Sequence, residues 1–165
     1  MNNKILVTGG AGYLGSTMVP TLLKEGYQVT VLDSLIFNQS VLLDICNNKN
    51  FEFIQGDICN YKLINSIISN FDIIIPLAAI VGAPACKRNA SLAHLVNYEA
   101  HINMIKNLSQ NQKVLFPTTN SGYGIGEKDA FCTEESALNP ISEYGKTKVK
   151  IEKELLDNHG GVSFR

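Results

Sequence analysis

Val7-Thr8-Gly9-Gly10-Ala11-Gly12-Tyr13-Leu14-Gly15 joins an apolar run, Ile5-Leu6-Val7, to a stretch from Tyr13 to Glu25 with apolar residues at helical spacing. Strand, glycine turn and helix in that order is the setting in which Gly-x-x-Gly-x-x-Gly acquires a mechanism. Gly9 permits a sharp turn, and Gly12 has no Cβ to hold a pyrophosphate off the backbone. Gly15 lets the helix pack closely on the strand. The opening residues of the helix, Tyr13 and Leu14, then present free N–H groups and the positive end of the helix dipole to phosphate.

Outward from this turn, apolar runs and helical stretches alternate through the whole chain. Strands are expected at Tyr27–Leu32, Phe51–Gln55, Asp72–Leu77 and Lys113–Pro117, with Val162-Ser163-Phe164 opening a sixth. Helices are expected at Asn38–Cys46, Asn60–Ser69, Ala90–Gln110 and Ser142–Asn158. The fourth strand is almost wholly apolar, as a parallel strand covered on both faces should be. Repeated β-α units imply an α/β fold, a doubly wound parallel sheet between two helical layers. A strand just begun is a poor place for a domain to finish, so residues 1–165 are expected to be one domain of a longer protein.

Composition narrows the functional classes. A net charge of −1 over 165 residues gives no field suited to nucleic acid or an anionic membrane. The apolar runs are all short of a membrane span. Met1-Asn2-Asn3-Lys4 leads directly into the first strand, leaving no room for a signal peptide, so a cytoplasmic location is expected. Cys46, Cys59, Cys86 and Cys132 are scattered without a C-x-x-C pair, which argues against zinc and disulfides. His94 and His101 are spaced to share one helical face, but no ligand partner accompanies them and no metal is expected.

Asp33 closes the second strand one β-α unit beyond Gly15, where a carboxylate can accept hydrogen bonds from adenosine ribose hydroxyls. The same charge repels a 2′-phosphate, and Ser34-Leu35-Ile36-Phe37 supplies no cation, so NAD is expected rather than NADP. Capping of the following turn is the alternative use of Asp33. Gly56-Asp57-Ile58 follows the third strand, placing Asp57 toward an adenine amino group, although it would also suit an ordinary Asp turn. Leu77-Ala78-Ala79 ends the fourth strand with side chains small enough for the backbone to lie along a flat cofactor.

Tyr144 and Lys148, in Tyr144-Gly145-Lys146-Thr147-Lys148, stand one helical turn apart. A tyrosine that moves protons near neutrality must fall about 3 pKa units from about 10, or about 4 kcal/mol. An ammonium about 5 Å away at an effective dielectric of about 20 supplies about 3 kcal/mol, so Lys148 is expected to lower Tyr144.

In this order the motifs resemble the cofactor-binding half of the extended short-chain dehydrogenases/reductases, the group containing nucleotide-sugar epimerases and dehydratases. The likeness spans essentially the whole chain and implies a Rossmann-type, NAD-binding domain that precedes a substrate lobe. Asn97, in Asn97-Tyr98-Glu99-Ala100-His101, matches a cofactor-side asparagine of the family, with Ala-His in place of the usual Gly-Thr. The resemblance implies catalytic Thr119, Tyr144 and Lys148: Thr119 binds the sugar hydroxyl, Tyr144 takes its proton, and Lys148 also holds the nicotinamide ribose. Ser121 is the rival for the hydroxyl role. Family 4,6-dehydratases carry Asp-Glu directly after that threonine; Asn120-Ser121 stands here, which disfavours dehydration and leaves epimerisation or oxidation of a nucleotide-activated sugar. Glu127, Glu134 and Glu135 read as solvated loop.

Val81–Asn89 and Thr119–Glu127 are similar to loops of enzymes that oxidise C4 of a GDP-linked heptose. Lys87 and Arg88 are expected in a solvent-facing loop, with a sugar-nucleotide phosphate as the other possibility; Cys86 reads as a buried, inert thiol. Lys146, Lys150 and Lys153 read as solvated helix. The Ala90–Gln110 and Ser142–Asn158 helices resemble those that pair in family homodimers. A non-catalytic NAD-binding redox sensor is the competing functional class, against which a full Thr/Tyr/Lys set argues.

Overall fold

A computed structural model describes residues 3–126 and 131–165; Glu127 lies outside them. Six parallel strands form one sheet in the order β3-β2-β1-β4-β5-β6: β1 (Lys4–Thr8), β2 (Gln28–Asp33), β3 (Phe51–Gln55), β4 (Ile73–Pro76), β5 (Lys113–Pro117) and β6 (Val162–Phe164). The chain winds outward from β1 to β3, then crosses to β4 on the other side of β1. Ile5 pairs with Val29 on one side and Ile73 on the other. The reversal opens a crevice at the carboxyl ends of β1 and β4, where doubly wound sheets bind ligands.

Alternating side chains of β1 feed two cores. Ile5 and Val7 join Val29, Val31 and Ile75 beneath Val19 and Leu23 of α1 (Tyr13–Lys24). Leu6 joins Leu32, Ile74, Val114 and Phe116. That second core is closed by α2 (Tyr61–Ile67) with Ile64, α5 (Ala100–Lys106) with Met104, and α6 (Glu143–Asn158) with Ile151 and Leu155. α5 and α6 pack on each other within the chain, and Leu156 of α6 is exposed. No helix among the described residues is long and apolar enough to cross a membrane.

Three helical expectations change. Asn38–Cys46 holds only a 3-10 turn at Leu43–Ile45. The chain before it is bent by Leu35 and Asn38, at φ 53° and 51°, a left-handed region closed to a continuing helix. Val81–Asn89, expected as loop, contains helix α3 (Ala83–Arg88), entered through Gly82 at φ 87° with Pro84 in its first turn. The Ala90–Gln110 helix is shorter and interrupted: α4 (Ala90–His94), a π turn at Leu95–Glu99, and α5 ending at Lys106. The π turn adds a residue to the helical repeat, so His94 and His101 part company. His94 faces solvent 3.6 Å from Glu99, whereas His101 is only 1% exposed.

Candidate functional site

The crevice is a groove of 660 Å³ running from the end of β2, across the glycine turn, to α6. Gly9, at φ +69°, has no alternative: a Cβ there would meet Ala78 N at 2.5 Å and Cα at 2.6 Å. Gly9 N–H donates to Leu32 C=O at 2.7 Å, and Leu77 N–H donates to Thr8 C=O at 2.8 Å, which fixes the turn between its neighbouring strands. A Cβ on Gly15 would overlap the Gly10 carbonyl, so this glycine seats α1 against the turn itself, and it is buried beneath the groove. Gly12 differs. A Cβ there would meet only the Gly9 carbonyl oxygen, at 3.1 Å, so the room beside it belongs to the groove. No side chain caps α1 and no acidic residue lies in its first turn, leaving the N–H groups of this terminus for an anion.

Asp33 caps the turn that follows it and also lines the groove. Its Oδ2 accepts from Ala11 N–H at 3.0 Å and its Oδ1 from Leu35 N–H at 2.9 Å, tying β2 to the glycine turn. A carboxylate has about four acceptor positions, so capacity remains for ribose hydroxyls on the groove side. Asp57 likewise makes a local turn, accepting from Cys59 N–H at 2.8 Å, and lines the groove with Ile58. Leu77, Ala78 and Ala79 form its floor, and Tyr13 and Leu14 its lip. The groove wall legible only in three dimensions is apolar: Ile36 and Phe37 near Asp33, Val96 from the π turn, and Pro117.

Asn97 is 2% exposed and lies behind the groove rather than on its surface. Its Oδ1 accepts from Ile80 N–H at 2.8 Å and its Nδ2 donates to Ile80 C=O at 2.9 Å. Both ends of the amide therefore hold the backbone that follows Ala79.

At the far end Tyr144 and Lys148 line the groove together from one face of α6, which Ser142 opens by capping Gly145 N–H at 3.0 Å. Lys148 is 4% exposed; its Nζ donates to Pro117 C=O at 3.1 Å and lies 4.6 Å from the Phe116 ring centroid. Burial brings this ammonium down to about 8. The Tyr144 phenol moves the opposite way from the expectation. Burial raises it above the ordinary tyrosine value and the neighbouring Cys86 thiol adds to the rise. Desolvation outweighs any help from the lysine, whose charge is directed at the Pro117 carbonyl and the Phe116 face.

Thr119 and Ser121, the rival hydroxyls, are joined. Thr119 Oγ1 donates to Ser121 Oγ and accepts from Ser121 N–H, each at 3.2 Å, capping the turn Asn120–Gly122. Neither Thr119 nor Ser121 is among the residues that line the groove, which the preceding Thr118 does; the buried Thr118 hydroxyl has no partner among the described residues. Sequence reasoning missed Arg165: its Nε donates to the buried Glu152 of α6 at 2.9 Å and its Nη1 to Glu134 C=O at 2.8 Å. Lys87 and Arg88 are exposed on α3, and Cys86 is buried with its thiol pushed up by desolvation. Among the described residues no group of three His, Cys, Asp or Glu is placed to hold a metal.

A glycine-turn groove at the switch point of a 3-2-1-4-5-6 sheet, ending on a Tyr-x-x-x-Lys helix, defines a Rossmann-type domain. More particularly, residues 5–162 match the NAD dependent epimerase/dehydratase family, and the chain belongs to it. It is 35% identical over 167 residues to the UDP-glucose 4-epimerase of Lactobacillus helveticus, covering 98% of this chain and 49% of that one. The UDP-Glc/GlcNAc 4-epimerase of Campylobacter jejuni superposes with a TM-score of 0.85 at 29% identity, over 95% of this chain and 49% of that one. The UDP-glucose 4-epimerase of Brucella ovis, solved in complex with NAD, gives 0.82 at 25% identity, over 98% and 50%. The chain spans about half the length of these relatives.

Proposed function

We propose that this chain is the NAD-binding half of a nucleotide-sugar 4-epimerase, and that it carries the residues that move the proton. The observation behind this reading is the groove itself. It is open beside Gly12, has the uncapped helix terminus at mid-length, Asp33 at one end, and Tyr144 with Lys148 at the other. These residues fit a dinucleotide laid along the groove: Asp33 at the adenosine ribose, the turn at the pyrophosphate, and the Lys148 ammonium at the second ribose. NAD, when bound, supplies the hydride acceptor. Tyr144 Oη takes the proton of the sugar hydroxyl as it is oxidised and returns it when the carbonyl is reduced. Thr119, with Ser121 bonded to it, holds that hydroxyl. A phenol raised by burial needs positive charge close by before it can ionise, and Lys148 with an oxidised nicotinamide are the two sources for it.

A UDP-linked hexose is favoured over a GDP-linked heptose, because relatives that match over nearly the whole chain include several UDP-glucose 4-epimerases, while the heptose likeness rests on two loops. Asn120 and Ser121 offer neither acid nor base for dehydration. Since the chain spans half of its relatives, sugar binding is assigned mainly to a lobe beyond these residues, and this half alone should bind NAD without sustained turnover.

Tyr144→Phe tests the reading in an enzyme that includes such a lobe. NAD affinity should stay within about twofold while epimerisation of UDP-glucose falls at least about 100-fold. Unchanged epimerisation would overturn the reading, and a redox sensor would be indifferent to the substitution.

A further inference from the structure

His101 is buried outside the groove lining, against Val96 and Phe116. Its Nδ1 lies 3.0 Å from the Val96 carbonyl oxygen. A carbonyl only accepts, so Nδ1 carries the proton and Nε2 the lone pair. Nε2 is buried without a partner among the described residues. The imidazole meets the Phe116 ring edge-to-face, with centroids 6.1 Å apart, and the same ring lies 4.6 Å from Lys148 Nζ. Burial, reinforced by the Lys148 charge, brings His101 down to about 3, so it is neutral through the working pH range. Lys148 is the one charged side chain that bears on the imidazole among the described residues.

Val96 belongs to the π turn, in which Ala100 N–H reaches back five residues to Leu95 C=O. The next residue, Asn97, grips Ile80 by both its N–H and its C=O. Val96 and Ile80 both line the groove. A π turn is a costly interruption of a helix and persists where its surroundings hold it.

We propose that His101 is the positioning residue of this site: through Val96 it clamps the π turn that lets Asn97 hold Ile80, and it backs the Phe116 ring on which the Lys148 ammonium rests. The proposal rests on Tyr144 and Lys148 being the reactive pair, but its test needs no turnover.

His101→Leu keeps apolar volume and removes the donor; His101→Asn keeps a donor near the place of Nδ1. By NMR, the Leu variant should lose about tenfold of the exchange protection of Ile80 N–H, one buried hydrogen bond's worth. Its Lys148 titration should also move below about 8, since an aliphatic neighbour solvates an ammonium less well. The Asn variant should keep Ile80 protection within about twofold of wild type. The proposal is overturned if Leu changes neither signal, or if Asn loses as much Ile80 protection as Leu. Should the Leu variant not fold, the wild-type imidazole decides: its 15N shifts must place the proton on Nδ1 from pH 5 to pH 9. A proton on Nε2, or a titration within that range, overturns it. NAD calorimetry on the wild-type chain separates the two readings, because absent heat would sink the functional assignment while leaving these signals in place.

Discussion

Replacing Lys148 with Met should stabilise the folded chain at neutral pH, because the residue most needed for chemistry is the one the fold bears least easily. Lys148 is 4% exposed, and burial takes its ammonium from 10.5 to about 8. The unfolded chain therefore holds the proton more tightly, and stability rises with pH between about 8 and 10.5 as the folded state sheds it. At about 1.4 kcal/mol per pKa unit, the charge costs about 3 kcal/mol at pH 7 and about 1 kcal/mol at pH 10. Methionine keeps an apolar stem against Phe116 but leaves the Pro117 carbonyl without its donor, a loss of about 1 kcal/mol. The net expectation is a gain of about 2 kcal/mol at pH 7 and about none at pH 10. For a chain of this size that is a Tm increase of about 4–8 °C at pH 7. Urea unfolding of wild type and K148M at both pH values reads the difference directly, and tyrosine and cysteine titrations cancel because both proteins share them. A variant less stable than wild type at pH 7, or a gap that is the same at both pH values, would refute the reasoning.

Gly15→Ala, which in an ordinary helix interior would gain about 1 kcal/mol, should instead cost about 2 kcal/mol or more. The added Cβ overlaps the Gly10 carbonyl and forces α1 off the turn, so NAD affinity measured by calorimetry should fall with the Tm. Asp33→Asn preserves shape but leaves one acceptor oxygen for two backbone donors, Ala11 N–H and Leu35 N–H. A loss of about 1.5–3 kcal/mol in thermal unfolding is expected, and an unchanged Tm would show that Asp33 does not tie β2 to the glycine turn.

Much of the site could be read from order and spacing. Gly9, Gly12, Asp33, Asp57, the Leu77-Ala78-Ala79 floor, Tyr144 and Lys148 all line the one groove. Each sits at a strand end or on one helix face, and both positions follow from periodicity. Where periodicity breaks, the reading failed. Expected helix at Asn38–Cys46 gave way because Asp33 captures Leu35 N–H and turns the chain. His94 and His101 were assigned one face, but the π turn sends one to water and one to the core. Asn97 was expected against the cofactor and instead holds Ile80 from behind, a distinction its place in the sequence cannot carry.

The amino-acid sequence by itself determined the doubly wound parallel sheet, the glycine turn at its centre and the placing of a phenol and an ammonium one helical turn apart. These follow from local rules: two-residue and 3.6-residue periods, and glycine where a side chain would collide. Only the tertiary structure decided the sign of the Tyr144 shift, the partners of Lys148 and the side on which His101 lies. Desolvation is a sum over everything packed around a group, and here that packing comes from α3, α5 and β5, elements far from α6 along the chain.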